Sequence, residues 1–146
     1  MSYYMEQLGH DFRISSANTA AAFGALKAWE QQEIARHPAY RQLGREPLNG
    51  ADTLEDALAE LGWTAEIDES GNITGLSFEG GKLCDEDSWL NAIAPYVQHG
   101  SRLEMRGEDG YLWCWYFNGE SCTTYDGKVV FPDIPIEGKE QPICTM

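Results

Sequence analysis

The chain of 146 residues carries 24 acidic and 10 basic side chains, for a formal net charge of −14, and 12% of its residues are aromatic. That length suits a single domain with a core of its own, and so many aromatics argue against a disordered chain. The acidic excess opposes direct binding to nucleic-acid phosphates, and no apolar run approaches the ~20 residues of a membrane helix.

Residues 1–12 show neither the basic nor the apolar region of a secretory signal, so a cytoplasmic location is expected. Residues 3–14 alternate as a strand, with Tyr4, Leu8, Phe12 and Ile14 on one face. Ser16 or Asn18 is placed to cap the alanine-rich helix "TAAAFGALKAWEQQEIAR". Its inward stripe is expected to run through Phe23, Leu26, Trp29 or Glu30, and Ile34, and His37 before Pro38 ends it.

Residues 44–52 have linker composition. Thr53, with Asp56 three residues on, marks the start of a short second helix, and Gly62 its end. "WTAEIDE" and "ITGLSF" flank a turn and form a hairpin, whose Asp68, Glu69 and Asn72 are turn residues rather than a calcium loop. A third helix spans "CDEDSWLNAIAPYV", with Asp85 as N-cap, Glu86 and Asp87 against its positive dipole end, and Pro95 shortening or kinking it.

"SRLEMR", "YLWCWYF" and "ESCTTY" then form a meander, and Asp126-Gly127 leads on to "KVVF". A two-residue Asn118-Gly119 turn sets Trp115 opposite Cys122, and a loop ending in Gly110 sets Leu103 opposite Trp115 and Met105 opposite Trp113. Leu103, Met105, Trp113, Trp115 and Cys122 therefore share the helix-covered face. Leu112, Cys114, Tyr116, Tyr125, Arg102, Glu104 and Arg106 share the open one.

The expected fold is α+β, with helices on one face of a mainly antiparallel sheet. The element order is the ferredoxin-like β-α-β-β-α-β with a C-terminal hairpin. Residues 1–131 form one domain, and residues 132–146 form an extended tail with three prolines.

Phosphate-binding, dinucleotide-binding and nucleophile-elbow motifs are missing. Cys84, Cys114, Cys122 and Cys144 lack zinc-ligand spacing and read as free thiols. No cofactor and no metal site is expected. Charge is the remaining signal: residues 1–50 carry five acids and five bases, residues 51–100 eleven acids and one base, and residues 101–146 eight acids and four bases.

That asymmetry points to a small intracellular interaction module that meets a protein with a basic surface. In its sharper form the module is an inhibitor covering a nucleic-acid-binding surface, a strategy for which phage-encoded anti-defence proteins have the size and acidity. The candidate contacts are Asp52, Glu55, Asp56 and Glu60 on the second helix and Asp85, Glu86 and Asp87 at the third. Asp52, Asp56 and Glu60 would line one stripe at ~6 Å steps, close to the spacing of phosphates along a strand. Leu112, Tyr116 and Tyr125 supply an apolar contact on the open face. The alternative is a small enzyme or ligand-binding domain using a cysteine or histidine in a pocket between sheet and tail.

Overall fold

The computed structural model describes residues 2–37 and 47–133. The described residues form an α+β structure with six strands in two antiparallel sheets and three α-helices. Strand β1 (Met5–Asp11) begins with its alternation out of step with expectation. Phe12 and Ile14 are buried, but Tyr4 and Leu8 lie 52% and 50% exposed, and Met5 turns inward instead. The cause is a β-bulge between Gln7 and Gly9 in the pairing with β4 (Arg102–Gly107). One extra residue reverses the parity of everything before it.

The chain passes a 3₁₀ turn, Ser16–Asn18, whose cap is Ser15: its Oγ accepts from the Ala17 amide at 3.3 Å. Neither Ser16 nor Asn18 caps α1 (Thr19–Arg36) through its side chain. The Ser16 amide instead donates to Asn72 Oδ1 at 2.8 Å, which pins the helix start to the hairpin tip. The buried stripe of α1 is Ala22, Leu26, Glu30 and Ile34, in steps of four, with Phe23 and Trp29 beside it. Glu30 is accommodated in the interior because its Oε2 accepts from the Leu48 amide.

Helix α2 (Leu54–Glu60) is capped as expected, Thr53 Oγ1 accepting from the Asp56 amide at 3.2 Å. It ends at Gly62, whose φ of 94° suits glycine alone and aims its carbonyl at the Glu79 and Gly80 amides. β2 (Trp63–Ile67) and β3 (Ile73–Phe78) pair as the expected hairpin. Its tip is organised by Asp68 Oδ1, which accepts from the Ser70 and Asn72 amides. Helix α3 (Glu86–Ile93) is short: Pro95 falls in a 3₁₀ turn, Ala94–Tyr96, directly after it.

The hairpin does not ladder into the main sheet. The four-stranded sheet runs β1-β4-β5-β6, with β5 at Leu112–Phe117 and β6 at Cys122–Asp126, and β2-β3 stands as a separate sheet. β1 lies beside β4, while no backbone ladder joins it to β3: the Ile14–Ile73 bridge follows the strand, and Gln7 supplies side-chain hydrogen bonds. Gln7 donates to the Leu76 carbonyl at 2.9 Å and accepts from the Phe78 amide at 2.8 Å, so an amide side chain stands where a backbone ladder would run.

The β4–β5 register matches the sequence-based expectation, Leu103 opposite Trp115 and Met105 opposite Trp113. The β5–β6 register is two residues off, with Phe117 rather than Trp115 opposite Cys122. Asn118 accounts for the longer loop: its Oδ1 accepts from the Glu120 and Ser121 amides at 2.9 and 2.8 Å. A slip of two preserves facing, so Leu103, Met105, Trp113, Trp115 and Cys122 are buried together as expected. Trp115 lies 6.3 Å from Trp63 and 5.6 Å from Trp113, centroid to centroid, so the hairpin and the sheet share one aromatic core.

"KVVF" is no strand. Gly127 does not reverse the chain but continues the ladder, donating to the Leu112 carbonyl at 2.9 Å. Val129, Val130 and Phe131 follow, each at least 70% exposed. Of the expected tail, residues 134–146, including Cys144, lie outside the described residues.

Candidate functional site

Of the acidic candidates, Glu55, Asp56 and Glu60 lie exposed on α2, while Asp52 precedes the helix and does not extend its stripe. Asp52 is instead tied to Asp56, its amide donating to Asp56 Oδ2 at 3.4 Å. Beside them Phe23, Leu54, Ile67 and Ile73 line a groove of about 350 Å³, with Asp52 and Glu55 at its rim.

The three acids at α3 separate by environment. Asp85 is exposed, and its backbone carbonyl, not its carboxylate, accepts from the Ser88 and Trp89 amides. Glu86 is 1% exposed and is removed from the set of partner contacts. Its carboxylate accepts from Trp63 Nε1 at 3.1 Å and from the Cys84 amide at 2.7 Å. Burial pushes its pKa above the usual carboxylate range against the pull of those two donors. Asp87 is exposed but spends Oδ1 on Trp115 Nε1 at 2.6 Å and on the Thr124 hydroxyl at 3.4 Å.

On the open face, Leu112 and Tyr116 are half-buried and Tyr125 is 55% exposed. Tyr116 meets Tyr125 edge-on at 6.1 Å, and its hydroxyl lies 3.4 Å from His99 Nε2. The arginines of this face are occupied: Arg106 pairs with Glu6 and Arg102 with Glu104. The face is therefore aromatic and locally balanced in charge, unlike the helical side.

The three described cysteines give no sign of activation. Cys84, Cys114 and Cys122 are free thiols, and burial raises the pKa of all three, that of Cys122 to about 12. A nucleophilic thiol needs the opposite shift. No hydrogen bond joins a histidine to a cysteine among the described residues, and none of their His, Cys, Asp and Glu side chains cluster in threes at metal-binding distance.

One feature was not visible in the sequence. Beyond the N-terminal end of α3 the inner face of the sheet opens into a cleft of about 410 Å³. Trp113 and Trp115 form its floor, Tyr3, Tyr111 and Leu83 its walls, and Asp87 and Asp109 its polar rim. Tyr111 stacks on Trp113 at 5.5 Å and 21°, and Tyr3 approaches the same ring at 6.3 Å. The Tyr3 hydroxyl donates to Asp109 Oδ1 at 2.5 Å, and that bond raises its pKa to about 12. The Tyr111 hydroxyl donates to Asp126.

Tyr3 is held from both sides, by the Leu83 amide on its carbonyl at 2.8 Å and by Gly107, whose missing side chain makes room for the phenol ring. The only sequence trace of the cleft is the Tyr111-x-Trp113-x-Trp115 alternation. Its other half comes from the start of the chain, over a hundred residues away.

Comparison of the chain with protein-family models, with curated proteins and with solved structures gives no match. No helix among the described residues is long and apolar enough to cross a membrane.

Proposed function

We propose that this chain is an acidic interaction module that engages a basic surface of a partner protein, in its sharper form an inhibitor covering a nucleic-acid-binding surface. One observation carries the reading. The ion pairs formed among the described residues use Glu6, Asp11, Glu33 and Glu104, and none uses an acid from residues 51–100. Glu86 is buried and Asp68 and Asp87 hold donors within the fold, but the other acids of this segment stand exposed without a cationic partner among the described residues.

Glu55, Asp56 and Glu60 project that charge from α2, next to an apolar groove that would add contact area once the partner docks. Such a field speeds encounter with a basic patch and selects against acidic partners. An intracellular setting belongs to the same reading, and the free thiols support it.

The test is a pull-down from the native host with the wild-type chain and with Asp56→Lys/Glu60→Lys, followed by calorimetry on the partner recovered. The reversal should weaken binding by about tenfold or more, and wild-type affinity should fall steeply with added salt. Folding should be nearly unchanged, because exposed charges contribute little to stability. Duplex DNA should compete with the module if the covered surface binds nucleic acid. A partner that binds both forms equally at low salt would reduce the acidic segment to a solubility feature.

A further inference from the structure

The aromatic cleft has a chemistry distinct from that of the α2 surface. Its lining is mainly aromatic, and the face of an aromatic ring carries negative electrostatic potential that attracts a cation within about 6 Å of the ring centre. Tyr3 and Tyr111 donate their hydroxyl protons to carboxylates, Asp109 and Asp126, which pushes electron density back into the rings. Among the described residues, no lysine, arginine or histidine lines the cleft.

Two carboxylates stand at the rim with capacity left. Asp109 receives the Tyr3 hydroxyl and the Tyr111 amide, at 2.5 and 3.1 Å, both on Oδ1. Asp87 receives Trp115 Nε1 and the Thr124 hydroxyl, also both on Oδ1. No hydrogen bond among the described residues uses Oδ2 of either. The hydrogen bonds from Tyr3 and from the Tyr111 amide also hold the pKa of Asp109 below the usual carboxylate range.

We propose that this cleft receives an arginine side chain of the partner, the guanidinium lying against the exposed Tyr111 ring beside Trp113 and donating to Oδ2 of Asp109 and Asp87. The proposal rests on the reading that the partner is basic and names the group it inserts. Arginine fits better than the other cations. Its planar guanidinium stacks on aromatic faces and carries five donors, enough for two carboxylates. A lysine ammonium is more strongly hydrated and cannot stack. A quaternary ammonium suits the rings but has no proton for the two free oxygens.

The experiment needs no partner. The full-length ¹⁵N-labelled chain is titrated with N-acetyl-argininamide, with its neutral isostere N-acetyl-citrullinamide, and with tetramethylammonium. The shifts of the Trp113 and Trp115 indole N–H signals and of the Tyr111 amide are followed. Argininamide should shift these signals saturably and leave the open face, Tyr116 and Tyr125, unmoved. Asp109→Asn keeps an acceptor for Tyr3 and Tyr111 but loses the charge, and should weaken the binding by about tenfold. Tyr111→Leu should weaken it as well, with the rest of the spectrum as the check on folding.

Equal shifts with citrullinamide, shifts scattered over the acidic surface, or no saturation would overturn the proposal. Tetramethylammonium binding as tightly as argininamide would overturn the choice of guanidinium. The two readings fail separately. If argininamide binds while charge reversal on α2 leaves partner affinity intact, only the acidic-surface reading falls. If the reversal weakens the partner while argininamide does not bind, only the arginine seat falls.

Discussion

Replacing Trp115 by alanine tests the shared aromatic core. A buried tryptophan removes 150–250 Å² from water, which at ~25 cal/mol per Å² is worth about 4–6 kcal/mol. Measured truncations of large aromatics cluster at about 3–5 kcal/mol, since neighbours relax and the alanine keeps part of the contact. Trp115 is 1% exposed, edge-on to both Trp63 and Trp113, and bonded through Nε1 to Asp87.

Its alanine variant should fall at the upper end, at about 4–5 kcal/mol. Trp113 floors the same cleft but is 5% exposed, and among the described residues its indole N–H makes no bond like that of Trp115 to Asp87. Its alanine variant should cost about 3 kcal/mol. Trp115→Phe keeps a ring and loses the bond to Asp87, an exposed carboxylate that water can re-solvate, for about 1–2 kcal/mol. Urea melts followed by far-ultraviolet circular dichroism give all three values. If Trp113→Ala proves costlier than Trp115→Ala, or if either costs under about 1 kcal/mol, the placement of these rings is wrong.

Two further outcomes follow from the surroundings of Gly107 and Glu86. A methyl group at Gly107 would overlap the Tyr3 ring, so Gly107→Ala should expel that ring and weaken argininamide binding, yet should be neutral in a Tyr3→Ala background; additive effects on the melts would refute the contact. Burial raises the pKa of Glu86, so the folded state holds its proton more tightly than the unfolded chain does. The stability from that difference is full below the usual carboxylate range and is lost as pH rises through the folded value. Glu86→Gln should therefore flatten the decline of stability with rising pH, and an unchanged slope would count against a buried, shifted carboxyl at this position.

Much of the local structure was legible because it depends on neighbours in the chain. Thr53 with Asp56, Gly62 and Pro95 each act within one turn, and each sits where the sequence places a helix boundary. The inner face of the meander was legible for a similar reason. Its alternation has a period of two, and the slip introduced by the Asn118 side chain was also two, so the faces survived a wrong turn length. Strand β1 had no such protection. A single bulged residue reversed Tyr4 and Leu8, and a bulge is defined only by the pairing with a partner strand, here β4, far away in the chain.

The candidate sites divide along the same line. The order of residues by itself determined that this chain is acidic, that the excess lies beyond residue 50, and that two tryptophans two residues apart in a strand face one way. Only the tertiary structure decided which carboxylates reach solvent. Glu86 and Asp87 are adjacent in a helix whose turn spans 3.6 residues, so one points into the core beneath Trp63 and the other faces the cleft. It likewise decided that Tyr3 and Asp109 meet, because β1 pairs with β4 and carries the start of the chain across the sheet to the loop before β5. A contact between residues so far apart in the chain leaves no periodicity in the sequence, since it depends on which strands pair and where the helices stop covering them.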